Sequence, residues 1–213
     1  MTTNRSSEEF AMRRVIDAWG RSRWPNARVV HELVVNSERR IDMAFIGPDY
    51  LVGIEIKSSR DVMDRLKDQL TVFRRHLPLV LLAVAPKWKD EAWRHAGSLD
   101  IFVVDPASDV PVRGHSYYRQ DLSVTVPLLS LLWAQELRNI VDRLVIPSSA
   151  KATMVHNIAA IAQGANGAQI VREVCTELRA RDAFPKNKAH PPSDPPIGKA
   201  LRHPSAPVQE AML

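Results

Sequence analysis

Two short apolar runs joined by a tight turn constrain the fold of this chain more than any other feature. The runs are RIDMAFI, residues 40–46, and YLVGIEIK, residues 50–57, with a Gly-Pro-Asp turn between them. Runs of this length, bounded by turn residues, predict the two strands of a β-hairpin. Charged residues are rarely buried on strands without partners. The positions of Asp42, Glu55 and Lys57 inside these runs therefore indicate a functional site, with a structural ion network as the alternative.

The segments around the hairpin predict an α/β fold. SSEEFAMRRVIDAWG reads as a first helix with a Ser6–Glu9 capping box and a stop at Gly20. ARVVHELVV, LVLLAVA and DIFVVD read as further strands, and WKDEAWRHAG as a short helix. Residues 58–77 predict a helix, and its packing stripe is Val62, Leu66, Leu70 and Phe73. Alternation of strands and helices indicates a mixed sheet flanked by helices.

After residue 125 the sequence pattern predicts helices and no further strands. VPLLSLLWAQELRNIVDRL predicts one helix, and two more follow around a QGANG turn. The last stretch holds seven of the fifteen prolines and predicts a disordered tail. We therefore predict an α/β core at residues 1–125, a helical C-terminal extension at 126–183 and a tail at 184–213.

Composition narrows the class of protein. The chain has 213 residues, is 45% hydrophobic and 25% charged, and carries a net charge of +5 with a pI of about 9.6. This composition is ordinary for a globular protein, and the basic balance favours an anionic partner, above all nucleic acid. A single cysteine excludes an internal disulfide and a thiolate zinc site. No apolar run reaches the roughly 18 residues of a membrane span, so we expect a cytoplasmic protein that does not bind membranes.

The hairpin should bring the three charged residues together. Strand alternation puts Glu55 and Lys57 on one face with Gly53, and puts Asp42 opposite Ile41, Met43 and Phe45. A turn near residue 48 sets Asp42 across from residues 54 and 55, beside open space left by Gly53 and Ala44. Two neighbouring carboxylates are costly to bury unless a cation neutralises them. Mg²⁺ (or Mn²⁺) prefers such oxygen ligands, and the carbonyl of Ile56 is the natural third ligand.

The spacing of these residues resembles that of a known nuclease superfamily. An Asp, about a dozen residues, then Glu-Ile-Lys is similar to the PD-(D/E)XK superfamily, whose fold is restriction-endonuclease-like. Ile41 stands where that motif has proline. Within this superfamily, the chain is most similar to an uncharacterised family of bacterial and phage proteins. The matching residues are Glu32, Arg40, Asp42, Glu55, Ile56, Lys57, Ser58, Asp61, Arg65, Leu66 and Gln69.

The resemblance implies roles for these residues. Asp42, Glu55, Lys57 and Gln69 would be catalytic. Asp42, Glu55, the Ile56 carbonyl and Glu32 would hold the metal. Arg65, Arg40 and Ser58 would contact DNA. On a helix, Asp61, Arg65 and Gln69 share one face, which leaves a plain Asp61–Arg65 ion pair as the alternative. Glu8 or Glu9 of the first helix could replace Glu32.

The sequence thus predicts Mg²⁺-dependent hydrolysis of DNA phosphodiester bonds. One alternative is a nuclease-fold DNA-binding module that cleaves little, within a repair, phage or mobile-element complex. Another is an interaction protein whose partner docks on the C-terminal helices. The pattern leaves open whether cleavage is endo- or exonucleolytic, whether RNA is cut, and whether the chain forms a homodimer.

Overall fold

The computed structural model describes residues 7–36, 39–97, 100–108, 112–113, 120–149, 151–184 and 193–198. Six strands form one sheet in chain order. They are β1 (Arg28–Val34), β2 (Arg40–Ile46), β3 (Leu51–Lys57), β4 (Leu79–Val84), β5 (Asp100–Val103) and β6 (Val112–Arg113). The β1–β2, β2–β3 and β5–β6 pairs are antiparallel, whereas β3–β4 and β4–β5 are parallel.

Helices cover both faces of the sheet. They are α1 (Ser7–Arg23), α2 (Leu66–His76), α3 (Lys89–Ala96), α4 (Thr125–Leu129), α5 (Ala134–Arg143), α6 (Met154–Gly164) and α7 (Gly167–Ala180). On one face, Val52, Ile54 and Ile56 pack with Met12 and Ile16 of α1. On the other face, α2 and the C-terminal helices share a second core with the remaining strand side chains. The mixed α/β sheet with a helical C-terminal part confirms the predicted fold class.

The N-terminal helix continues past its predicted stop. Gly20 lies inside α1, where a Cβ would come within 2.1 Å of the Phe45 ring. The glycine is therefore used for close approach of helix and sheet rather than for termination. Ser6, the predicted capping residue, lies outside the described residues.

The second helix is shorter than predicted. It begins at Leu66, and residues 58–65 form turns instead. Val62 is 57% exposed and not part of the packing stripe, whereas Met63 is buried together with Leu66, Leu70 and Phe73. The turn is favoured because Asp61 accepts hydrogen bonds from both the main chain and the hydroxyl of Ser58, a local alternative to helical bonds.

The predicted long helix after residue 125 is two helices, α4 and α5. The break is stabilised by Glu136, whose carboxylate accepts a 2.7 Å bond from the amide of Trp133 at the start of α5. Arg181 donates to the same carboxylate and to the Leu131 carbonyl, so it ties this break to the end of α7. The second core contains residues from Val30 to Phe184. The sheet and the C-terminal helices are therefore packed together, and the division at residue 125 stays a prediction.

Part of the predicted disordered tail lies against the outer edge of β1. Asp194 donates its amide to the Val29 carbonyl at 2.8 Å, and its carboxylate accepts the Val29 amide at 2.9 Å. The same carboxylate pairs with Arg21, and the hydroxyl of Ser193 accepts the His31 amide. The edge strand is thereby supplied with hydrogen bonds in this stretch. The other residues predicted to be disordered, 185–192 and 199–213, lie outside the described part of the chain.

Candidate active site

The site forms where β2 and β3 separate. Their regular pairing ends at Met43 opposite Ile54, and Asp42 and Glu55 occupy the next position. The Asp42 carboxylate accepts the Ile56 amide at 2.8 Å, so it takes the place of a backbone partner there. The predicted placement of Asp42 across from residues 54 and 55 agrees with this register.

The alternation of side chains is interrupted at this point. Ile41 packs in the core beside Ala44, whereas Met43 and Phe45 belong to the core on the other face. The expectation that Ile41, Met43 and Phe45 share one face is therefore wrong. The interruption matches a left-handed backbone at Glu32, opposite Asp42, where φ is +57°. A non-glycine residue in this region is strained, and strain of this kind clusters at functional sites, although Val145 adopts the same region away from this one.

Glu55, Lys57 and Gln69 form a closed triangle of hydrogen bonds. The Lys57 ammonium donates to a Glu55 carboxylate oxygen and to the Gln69 side-chain carbonyl, each at 2.9 Å. The Gln69 amide donates to that same Glu55 oxygen, also at 2.9 Å. Glu55 and Lys57 are buried, and Gln69 reaches them from the first turn of α2. The structure thus brings together the four side chains predicted to be catalytic, although their roles stay predictions.

The space beside this triangle is filled. A Cβ on Gly53 would come within 2.6 Å of Leu77 and 3.2 Å of Ile41, and Ala44 is fully buried. The prediction that these two small residues leave open space is therefore wrong. They instead let the α2 side of the core pack closely on the sheet below the polar groups.

The protonation of Glu55 is displaced from its ordinary range. Burial raises the pKa of Glu55 well above its ordinary value, and the neighbouring Asp42 carboxylate raises that pKa further. Lys57 partly opposes both effects. A strongly perturbed carboxyl group with a like-charged neighbour is typical of sites that bind cations or transfer protons.

Replacement of Glu55 by Gln is expected to make stability less dependent on pH. Because the pKa is raised in the folded state, the folded protein holds a proton that the unfolded chain releases as pH rises. Wild-type stability should therefore fall between about pH 4.5 and the folded pKa, by about 1.4 kcal/mol per pH unit. Glu55→Gln keeps the size of the side chain and an oxygen that accepts hydrogen bonds. It removes the ionisation, so the fall of stability with pH should disappear. Urea unfolding in EDTA from pH 4 to 8 measures it, with exposed Asp142→Asn as the control.

The opposite outcome would identify the Glu55–Lys57 pair as a stabilising ion pair. In that case the Gln variant would be less stable than wild type at neutral pH, and its deficit would grow above the ordinary carboxyl pKa.

The buried guanidinium of Arg13 was not anticipated as part of this site. Arg13 belongs to α1, and its side chain is only 1% exposed. It donates to the carboxylate of Asp42 at 2.7 Å and to the main-chain oxygen of Asp42 at 2.6 Å. It also donates to Glu32 and to Glu9, each at 3.0 Å. Its last contact is the His31 Nδ1 at 3.2 Å, which must accept because arginine offers only donors.

Glu32, Glu9 and Glu8 are the candidates for a further acidic metal ligand, and they have different partners. Glu32 and Glu9 both pair with Arg13. Glu8 accepts hydrogen bonds from the amide and hydroxyl of Ser59, directly after the end of β3. Of these, Glu32 lies on the strand next to Asp42 and shares one guanidinium nitrogen with it. The geometry therefore favours Glu32 over the two acids of α1.

The predicted DNA contacts lie in different settings. Arg40 and Arg65 are exposed, at the start of β2 and directly before α2. Ser58 is buried and held by Asp61, so its hydroxyl is engaged within the turn. Asp61, Arg65 and Gln69 do not share a helical face, because only Gln69 is in the helix. The alternative of an Asp61–Arg65 ion pair assumed that both residues lie one turn apart on this helix, and neither residue is in it.

A second unanticipated group stabilises the end of β3. Trp88 donates its indole N–H to the Ser58 carbonyl at 2.8 Å, and Lys87 donates to the Ser59 carbonyl at 3.0 Å. The Lys87 ammonium lies 4.2 Å from the Trp88 ring centre. These residues follow β4, the parallel neighbour of β3, so they fix the chain directly after Lys57.

The Asp42–Glu55 pair offers oxygen donors of the type that a hard divalent cation prefers. Both side chains offer carboxylate oxygens, and a cation between them would relieve the repulsion that raises the pKa of Glu55. Within the described residues, no group of three or more His, Cys, Asp and Glu side chains is arranged to hold a metal. The pair would therefore need backbone, water or phosphate oxygens to complete the coordination, as Mg²⁺ sites commonly do. The role of the Ile56 carbonyl stays a prediction.

Comparison with known proteins places this site in a phage protein family. The sequence model of the family described as Bacteriophage P4 protein cII matches residues 1–188. The chain belongs to this family. The residues that match the phage P4 cII family model thus include every described strand of the sheet, the α1 helix that carries Arg13 and the described C-terminal helices.

Matches to individual proteins cover a smaller part of this chain than the family model does. Protein cII of Enterobacteria phage P4 is 37% identical over 81 residues, which are 38% of this chain and 30% of that protein. The match thus spans less than a third of that relative's length. A solved structure, a protein of unknown function from Silicibacter pomeroyi, is 16% identical with a TM-score of 0.45 and covers 65% of this chain and 92% of its own. Among the described helices of the cII-family chain, none is long and apolar enough to cross a membrane.

Proposed function

We propose that this cII-family protein is a metal-dependent nuclease of the PD-(D/E)XK type that hydrolyses DNA phosphodiester bonds. The observation that carries the proposal is the Asp42–Glu55 carboxyl pair at the point where two strands separate, with Asp42 accepting the Ile56 amide and Glu55 hydrogen-bonded to Lys57 and Gln69. Glu55 is paired with Lys57 and Asp42 with Arg13, yet the two carboxylates still lie close enough for Asp42 to raise the pKa of the buried Glu55. Crowded acids are costly unless the site binds a cation or moves a proton.

Each residue has a role that its position supports. Asp42 and Glu55 would hold Mg²⁺ or Mn²⁺, with the Ile56 carbonyl and Glu32 as further oxygen donors. The bound metal would supply a polarised phosphoryl oxygen and an activated water. Lys57 would orient the attacking water or stabilise charge on the phosphate. Gln69 fixes Lys57 and Glu55 relative to each other, because it bonds both.

A direct assay tests the proposal. Purified protein is incubated with linear and circular DNA in Mg²⁺ or Mn²⁺, with EDTA as the control. Product accumulation that requires the metal supports the nuclease. Separate single-stranded DNA and RNA substrates define the substrate class, and the circular substrate distinguishes endonucleolytic from exonucleolytic cleavage. Absence of metal-dependent products on every substrate overturns the nuclease.

One observation favours a second candidate, a nuclease-fold DNA-binding module with little cleavage. Arg13 already gives Asp42 a buried positive partner, which a protein that needs no metal would also require. The two candidates differ in the metal requirement. The module would bind DNA equally well in EDTA and leave it intact.

DNA binding is expected to depend steeply on salt, because Lys and Arg contacts release counterions from phosphates. Affinity for a labelled duplex should fall by orders of magnitude between about 50 and 200 mM salt if six or more phosphates are contacted. Arg65→Ala and Arg40→Ala should each weaken binding and reduce the slope of log affinity against log salt by about one. Fluorescence anisotropy in EDTA measures this.

Arg172→Ala is the matched control, since Arg172 is exposed on α7 in the C-terminal part. A slope that does not differ among the three variants and wild type would remove Arg40 and Arg65 from the DNA contacts. A flat salt response of the wild type would contradict nucleic-acid binding itself.

A further inference from the structure

The Arg13 side chain lies where a cation would be expected among three acids. It donates to carboxylate oxygens of Asp42, Glu32 and Glu9, which come from β2, β1 and α1. Its remaining donors contact the Asp42 main chain and His31, so every N–H of the guanidinium has a partner. The group is buried and fixed, unlike a surface arginine that samples many rotamers.

We infer that Arg13 is an internal competitor of the divalent cation and sets how tightly the site binds metal. The inference rests on the metal site of the proposed function. One Asp42 oxygen accepts the Ile56 amide, and the other accepts Arg13. A divalent cation at Asp42 therefore meets a positive charge already bonded to its ligand, and the two repel at short range in a poorly screened place.

The same contacts make Glu32 a weaker metal ligand in the wild-type protein than its place beside Asp42 would allow. Its carboxylate is directed to the guanidinium nitrogen that it shares with Asp42. When Arg13 is removed, the Glu32 and Asp42 carboxylates lose a common partner and face each other. A bound cation then relieves their repulsion, so Glu32 becomes a stronger ligand.

The test is Mn²⁺ binding measured by calorimetry and by the electron paramagnetic resonance signal of free Mn²⁺, without DNA. Arg13→Gln is expected to bind Mn²⁺ at least about tenfold more tightly than wild type, because one positive charge beside the ligands is gone. Arg13→Lys keeps the charge but has fewer donors, and its affinity should lie between the two. Arg14→Gln, an exposed arginine on the same helix, is the matched control and should bind as wild type does.

A second substitution separates competition from a general change in charge. Glu32→Gln should weaken Mn²⁺ binding strongly in the Arg13→Gln protein and much less in the wild-type background. Equal effects of Glu32→Gln in both backgrounds, or equal or weaker Mn²⁺ binding by Arg13→Gln, overturn the inference while the metal site stands. Absence of Mn²⁺ binding in every variant and in wild type overturns the metal site and the inference with it. If Arg13→Gln does not fold, Arg13→Lys decides, and an affinity at or below that of wild type overturns the inference.

Discussion

Replacement of Glu55 by Gln, or of Lys57 by Ala, is expected to lower metal-dependent DNA cleavage by about 100-fold or more. Removal of a metal ligand or of a positioned proton-handling group typically has an effect of at least this order. Glu55→Gln keeps the acceptor for Lys57 and Gln69 but removes the charge that would bind the cation. Lys57→Ala leaves both carboxylates in place but removes the ammonium that would orient water. Initial rates on a labelled duplex, at saturating Mg²⁺, measure both effects.

Matched variants show whether such losses are specific. Asp142→Asn and Lys151→Ala remove one exposed charge of each sign in the C-terminal part, away from the triangle, and both should cleave at the wild-type rate. The melting temperature of each variant must also be measured, so that a loss of activity is not a loss of folded protein. Wild-type rates in both Glu55→Gln and Lys57→Ala would contradict the catalytic assignment of these two residues.

The juxtaposition of Asp42 and Glu55 was predictable from sequence because a hairpin has few degrees of freedom. The turn between the two runs fixes the register, and the register places position 42 beside position 55. Gln69 was found through the family resemblance, since helical spacing alone assigned it to a face with Asp61 and Arg65 that does not exist. The turn formed by Ser58 and Asp61 shortens α2 and changes which residues precede it.

Arg13 could not be assigned from sequence because its partners are distant in the chain. Asp42 lies 29 residues from it and Glu32 lies 19. A helical arginine is most often solvated, and the only local signal was Glu9 one turn earlier, which predicts an ordinary surface pair. The same limit applies to Arg28 at the start of β1, whose partners lie 150 residues or more away in the chain. Its guanidinium is buried and donates to carbonyls at the end of α7, including that of Arg181 at 2.7 Å.

Replacement of Arg13 by Gln is expected to lower the free energy of unfolding in EDTA by about 3–5 kcal/mol. Removing one partner of a buried ion pair leaves a charge without compensation, which is the basis for an effect of this size. Here three carboxylates lose the same partner at once, and α1 loses a polar connection to β1 and β2. Urea unfolding at neutral pH measures the loss, with Arg14→Gln as the exposed control.

Added Mn²⁺ should reverse much of this loss if the carboxylates accept the cation in place of Arg13. A ligand that binds only the folded protein stabilises it by an amount that grows with the logarithm of its free concentration over its dissociation constant, and reaches about 2.7 kcal/mol at a ratio of about 100. Tighter binding by the variant therefore predicts a larger stabilisation of Arg13→Gln than of wild type at equal Mn²⁺. If Mn²⁺ stabilises both proteins equally, Arg13 is a structural ion-pair partner whose charge does not affect the metal. If Arg13→Gln loses less than about 1 kcal/mol in EDTA, the buried network contributes little to stability and its acids are compensated by other groups.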